Sequence, residues 1–215
     1  MDATTIDATV AAATQGLRLL EHPFYRRWEA GELHVGELAA YAGQYRHFEA
    51  MLPQFLGALA AEMDEGPAGR AVRANLADEC GDPIPHLELF DRFADALDAP
   101  AAEATPATRR LLAAYGTVLA QGTVPALAGL LAYEHQAPEI ADSKAAGLRT
   151  HYGLDGDAVA FWDHHAIVDV AHGTWTRDAL VDVGAPADVV AEATRLVAEA
   201  WWAFLDEREA TRPAA

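Results

Sequence analysis

Apolar residues recur three and four positions apart along almost the whole chain, and stretches that alternate apolar with polar residues are hard to find. That periodicity puts one apolar stripe on each of a series of helices and offers no strand to pair. The chain must solve its packing helix against helix, so the expected fold class is all-α. The spacing predicts helices over 5–20, 23–30, 35–63, 66–80, 84–98, 106–121, 124–150, 156–176 and 186–208. Turn-forming stretches such as "EGPAG", "GDPIP", "DAPAAEATPAT" and "VGAPAD" fall at the cuts between them. Pro53 and Pro138 lie inside otherwise helical patterns, and the helices that carry them are expected to kink there. Trp201, Trp202 and Phe204 on the last helix read as core or as a dimer face.

With 215 residues, 52% of them hydrophobic, the chain is long enough for one well-cored domain over 1–215 and short for two. The tail from about 209 to 215 is expected to fray. A net charge of −18 repels a phosphate backbone, so nucleic acid is not expected as a partner. No uninterrupted apolar run of about 18 residues is present, and the start "MDATTIDATV" is acidic rather than basic and then apolar. Neither a membrane span nor a secretory signal is expected, and the location implied is cytoplasmic. Cys80, the one cysteine, has no partner for an intrachain disulfide, which suits a reducing compartment.

Three stretches carry candidate chemistry. In "FWDHHAIVDVAH", His165, Asp169 and His172 stand at i, i+4 and i+7, within an arc of roughly 60° on one helical face. The flanking Phe161, Ile167, Val168 and Ala171 are apolar, which suggests that part of this helix is buried, where ionisable groups need partners or a metal. His164 points away from that face and reads as a surface or supporting group. In "DECGDPIPH", Glu79 and His86 share a nominal face, but Pro83 and Pro85 require the chain to bend between them. Such a bend brings both side chains to one site, or else forms an ordinary polar corner. In "LLAYEHQAP", Glu134 follows an apolar run and so needs an explanation that a surface carboxylate would not; its neighbour His135 is a supporting candidate.

Three carboxylates and three imidazoles from separate regions of a bundle suit a pair of first-row metals, iron or manganese, since no thiolate set is present and histidine is too abundant for magnesium or calcium. The ferritin-type Glu-x-x-His pair is absent, because Asp82 and Ala137 stand where its histidines would be.

On these residues the sequence resembles the haem-oxygenase-like di-metal oxidases, whose fold is a bundle of seven to nine helices related to thiaminase II and the pyrroloquinoline quinone C proteins. The matching pattern is Glu79-x6-His86, Glu134 and His165-x3-Asp169-x2-His172, set in "HPFYRRWEAGEL", "NLADECGDPIPHLELFDRF", "YEHQAPEIADSKAAGL" and "FWDHHAIVDVAH", over about residues 20 to 180. The resemblance implies that these six residues hold two metal ions, Fe/Fe or Fe/Mn, that O2 is a co-substrate, and that an external reductant and a homodimer are involved. Within the family, the likeness is to the branch of the Chlamydia protein associating with death domains, alternative para-aminobenzoate synthases that serve folate synthesis. That branch implies a self-consuming reaction in which a tyrosine supplies the ring and a lysine the amino group. The ring donor maps onto Tyr25, a second tyrosine onto Tyr133, and the amino donor onto Lys144. A further tyrosine of the branch is Phe161 here, which puts a radical relay through that position in doubt.

Lys144 also stands out without the resemblance. The fifteen basic residues comprise fourteen arginines and this one lysine, and only lysine offers an amine that can lose its proton and react. A helix run straight from Glu134 would carry Lys144 about 15 Å along, so a bend near Pro138 is needed to bring the amine toward the metals. Other outcomes are a multiple-turnover di-iron oxidase acting on an amino acid or fatty acid, a metal-free hydrolase with Cys80 as nucleophile, and a non-enzymatic interaction bundle.

Overall fold

Prolines, capping side chains and one glycine turn fix where the helices begin and end. The computed structural model describes residues 1–81 and 84–212. Among these residues the order is α1 (Ala3–Ala13), α2 (Pro23–Glu29), α3 (Val35–Ala61), α4 (Pro67–Cys80), α5 (His86–Ala96), α6 (Pro106–Ala120), α7 (Thr123–Glu134), α8 (Ala137–Tyr152), α9 (Ala160–Asp182) and α10 (Ala187–Ala210), with short 3-10 turns at Leu19–Glu21 and Gly156–Ala158. Three helices open on proline, whose missing N–H costs nothing in a first turn. Asp2 caps α1 by accepting from Thr5 N at 2.8 Å, and His22 caps α2 through Nδ1, which accepts from Phe24 N at 3.1 Å. Since that nitrogen accepts, His22 Nε2 carries the hydrogen and donates to Asp206 at 3.1 Å.

All-α is what the described residues show, with differences in detail. The first helix stops at Ala13 instead of reaching 20, and the ninth begins at Ala160 and continues to Asp182. The last helix persists to Ala210, inside the span expected to fray, and residues 213–215 lie outside the described residues. The stretch expected as one kinked helix over 124–150 is two helices, broken at His135 and Gln136, before Pro138 rather than at it. Pro138 has no N–H to offer the carbonyl of Glu134 four residues back, and the Gln136 side chain accepts from Leu19 N at 2.9 Å, tying the break to the N-terminal segment. By contrast α3 continues through Pro53, which likewise leaves the Glu49 carbonyl without its helical partner.

The core is one connected cluster from Ile6 on α1 to Leu205 on α10. At its centre α7 is buried at every position from Ala126 to Glu134 and packs against α6, α9 and α10. A helix apolar all round belongs inside a bundle, so Glu134 at its end is delivered to the interior. Trp201 and Phe204 are core, whereas Trp202 is half-buried and packs edge-on against His22. No helix among the described residues is long and apolar enough to cross a membrane.

Candidate metal centre

The six sequence-derived ligand candidates, Glu79, His86, Glu134, His165, Asp169 and His172, are all buried in the interior reached by α4, α5, α7 and α9. Ligand atoms of Glu79, His86 and His165 lie within 4.8 Å of one another. Glu79 closes α4 and His86 opens α5, and the reversal between them depends on Gly81, whose φ is +76°. A Cβ there would stand 2.2 Å from the backbone of Ile84 and Pro85, so only glycine fits. Pro83, which the sequence makes part of this bend, lies outside the described residues.

The hydrogen bonds around the imidazoles fix which nitrogen faces the cavity. His165 Nδ1 lies 2.8 Å from the carbonyl of Phe161, which can only accept, so Nδ1 carries the hydrogen and Nε2 presents a lone pair. His86 Nε2 pairs with His164 Nε2 at 2.9 Å, and its Nδ1 sits 3.0 Å from Glu79 Oε2 without the alignment of a hydrogen bond. His172 Nε2 donates to Asp78 Oδ2 at 2.8 Å, leaving Nδ1 3.3 Å from Asp169 Oδ1. Burial alone would lower the pKa of His172, but the Asp169 hydrogen bond and the carboxylates of Glu134 and Glu79 raise it to about 9. Burial pushes Glu134 up to about 7, against the pull of His172, Thr176 and Asn75. Asn75 Nδ2 donates to Glu134 Oε1 at 2.8 Å. Close approach of α9 sets that position: a Cβ on Gly173 would stand 3.3 Å from the Glu134 carbonyl oxygen.

Two buried polar atoms in this cluster, His86 Nδ1 and Glu134 Oε2, have no hydrogen-bond partner. An unsatisfied buried polar atom costs about 1–3 kcal/mol, and a cation bound beside each would satisfy it. Three carboxylates and three imidazoles with no thiolate at hand, Cys80 being exposed, fit iron or manganese in type. Supporting hydrogen bonds from His164, Asp78 and Asn75 orient ligand side chains as metal sites require.

Lys144 does not reach this cluster. It is 2% exposed, and its Nζ donates to Tyr41 Oη at 2.6 Å. Nζ also lies 4.1 Å from the ring centroid of Trp162 and 4.5 Å from that of Tyr25. Burial drives its pKa well below the lysine norm, with Glu49 the one group pulling it back up. Tyr25 Oη shares the same hydroxyl, at 2.8 Å from Tyr41 Oη. Tyr41 stacks on Tyr45 with centroids 5.4 Å apart, and Tyr45 Oη pairs with Tyr133 Oη at 2.8 Å. The three sequence-derived tyrosine and lysine candidates therefore join one aromatic file that ends beside Glu134. Tyr41 and Glu49 escape a reading of the sequence, although Tyr41, Tyr45 and Glu49 repeat every four residues on α3. Asn75 and Asp78 escape it as well. His135 is exposed and touches none of this, and Ile167, expected to help bury α9, is 75% exposed.

The sequence profile of a haem-oxygenase-like family described as iron-containing redox enzymes matches residues 39–207. A 4-aminobenzoate synthase of Chlamydia muridarum is 32% identical over 91% of this chain and 86% of its own, and one of Nitrosomonas europaea is 31% identical over 96% and 92%. Among solved structures, a CADD-like protein of unknown function from Nostoc punctiforme superposes with a TM-score of 0.78 at 14% identity, covering 99% of both chains. A haem-oxygenase-like domain from Shewanella denitrificans does so with a TM-score of 0.78 at 17% identity, over 98% of this chain and 93% of that one.

Proposed function

Since this chain belongs to the haem-oxygenase-like family of iron-containing redox enzymes, we propose that it is an O2-dependent 4-aminobenzoate synthase that consumes its own Tyr25 and Lys144. The observation that carries the proposal is the shared hydroxyl: Tyr41 Oη holds Lys144 Nζ at 2.6 Å and Tyr25 Oη at 2.8 Å, so amine and phenol meet on one atom.

Glu79, His86 and His165 would hold one ion, and Glu134, Asp169 and His172 the other. The chemistry supplied by bound iron, or iron with manganese, is the reductive activation of O2 and the withdrawal of electrons from nearby phenols, with an external reductant priming the centre. Tyr133, next in the chain to Glu134, and its partner Tyr45 are the first phenols on the way out. Burial raises the pKa of Tyr25, Tyr41, Tyr45 and Tyr133 alike, so each remains a phenol and can lose an electron only as its proton leaves. Hydrogen-bonded partners at 2.8 Å supply the acceptors within each pair. This file makes the tyrosine lost at Phe161 unnecessary.

Burial in its aromatic box favours the neutral form of Lys144, and only a neutral amine has the lone pair to attack a ring. Nitrogen passes from the Lys144 side chain to the ring carbon that bore the Tyr25 hydroxyl, the phenol oxygen leaving as water. O2 supplies the oxidation, and hydrolysis of the resulting Nζ–Cε imine leaves Cε as an aldehyde. The Tyr25 Cα–Cβ bond breaks as O2 oxidises Cβ to the product carboxyl, the oxygen not retained in the product leaving as water, and Cα keeps a hydrogen in place of the lost side chain. Space open to the centre of a water-sized molecule in the metal cavity amounts to about 20 Å³. A cavity this small favours a substrate taken from the chain itself.

The single lysine makes the test clean. Protein grown on lysine labelled with 15N at the side chain carries the label at one position, and reduced, iron-loaded protein is exposed to O2 without added substrate. The expected result is 15N-labelled 4-aminobenzoate, at most about one per chain, with matching mass losses in the peptides holding Tyr25 and Lys144. Unlabelled product, or undiminished product from Lys144→Arg with normal metal content, sinks the assignment.

A further inference from the structure

Glu49 is the buried charge that a six-ligand centre leaves unexplained. Its side chain is on α3, 3% exposed, and lines the same cavity as Glu79, Glu134, His165, Asp169 and His172. No Lys, Arg or His is within ion-pair distance of it among the described residues, and its Oε2 has no hydrogen-bond partner. Burial, then the facing carboxylates of Glu79 and Asp169, push its pKa far above the carboxylate norm, with the Tyr45 hydroxyl and Lys144 acting weakly the other way. A leucine at this position would spare the chain that desolvation.

Charge balance gives the carboxylate a purpose. Two divalent ions bring four positive charges, whereas Glu79, Glu134 and Asp169 bring three negative ones and the imidazoles none. Glu49 supplies the fourth, and a centre in a water-poor interior is most stable when its charges cancel. Its two facing carboxylates come one from each half of the cluster, Glu79 from the group with His86 and His165, Asp169 from the group with Glu134 and His172.

We propose that Glu49 is a seventh ligand of the metal centre, its free carboxylate oxygen reaching the ions from the α3 side, between the Glu79 and Asp169 halves. This rests on the di-metal reading of the six other residues. An added hard oxygen donor shifts the site toward iron and manganese and away from zinc and copper. It also places a metal ligand on the same face of α3 as Tyr41 and Tyr45, so the helix that holds Lys144 through Tyr41 also touches the centre.

The test uses the full chain, loaded anaerobically with Mn2+ or Fe2+, as wild type, Glu49→Gln and Glu49→Leu. In crystals, anomalous scattering should show two ions in the wild type with a Glu49 oxygen about 2.0–2.2 Å from at least one. Competition with a chromophoric chelator should show Glu49→Gln losing about tenfold or more in affinity for at least one ion. Glu49→Leu should melt higher than wild type when metal-free, and should gain less than wild type when metal is added. Two ions bound equally well by wild type and Glu49→Gln, with Glu49 beyond bonding distance, overturns the seventh ligand and leaves the centre standing. A wild type that takes up no metal overturns both.

Discussion

Lys144 Nζ donates to Tyr41 Oη at 2.6 Å inside a box of five aromatic rings, with no ion-pair partner among the described residues. An unfolded lysine binds its proton up to about pH 10.4, whereas burial lets the folded one release it at a much lower pH. Across the interval between those two values the unfolded state binds more protons, so stability rises with pH there. At neutral pH the fold therefore carries a cost for holding the amine. Lys144→Met should raise the melting temperature at pH 7 and flatten its dependence on pH up to about 10. Each unit of pKa depression removed is worth about 1.4 kcal/mol, and each kcal/mol about 2–4 °C in a chain this size. Melting curves by circular dichroism across that range check it; a variant with the wild-type slope contradicts a neutral Lys144.

Tyr41→Phe deletes one oxygen and leaves both Lys144 Nζ and Tyr25 Oη short of a partner. Two buried groups each lose a hydrogen bond, at about 1–3 kcal/mol apiece. Because Tyr41 positions the reacting pair and lies outside the ligand cluster, product yield should fall at least tenfold while two metals per chain are retained. Metal analysis beside product quantification separates this from loss of the centre.

Parts of this site are legible in the sequence where one helix carries them. His165, Asp169 and His172 need only a period of 3.6 to share a face. Glu79 and His86 are legible as a pair but not as neighbours, because their approach depends on a glycine turn that the spacing does not specify. Lys144 could be singled out by composition, yet its surroundings could not, since a break at His135 and Gln136 re-aims α8 in a way that a kink at Pro138 would not. Tyr41 and Glu49 were hidden by their company: on α3 they alternate with Tyr45, Phe48 and Leu52, a stripe that reads as ordinary core. Their importance comes from what α4, α8 and α9 bring against them, which is tertiary information.

Asp78 tests whether support for a ligand matters as much as the ligand. It is partly exposed, but its Oδ2 accepts from His172 Nε2 at 2.8 Å and so keeps Nδ1 turned toward Asp169. Asp78→Asn offers either a weaker acceptor or a donor to that nitrogen, and the imidazole loses its fixed orientation. Metal affinity should drop about 10–100-fold with helix content unchanged, as read by chelator competition and circular dichroism. An unchanged affinity shows that packing alone orients His172.

Metal uptake by this centre should release protons, and the sign follows from two groups. His172, raised to about 9 by Asp169 and the nearby carboxylates against the effect of burial, is largely protonated at pH 7. Glu134, raised to about 7 by burial, is about half protonated there. Both must be deprotonated to ligate. Apparent affinity should therefore climb as pH rises from about 6 to 9, by about tenfold per unit for each proton displaced, and level off once His172 has titrated. Calorimetry at pH 7 in buffers of different ionisation enthalpy should count more than one proton released per chain filled, from His172 and Glu134 and, where it ligates, from Glu49. Replacing Glu134 by Gln should remove the part of that release that disappears between pH 7 and 8, and a count unaffected by the substitution would show that Glu134 is ionised before metal arrives.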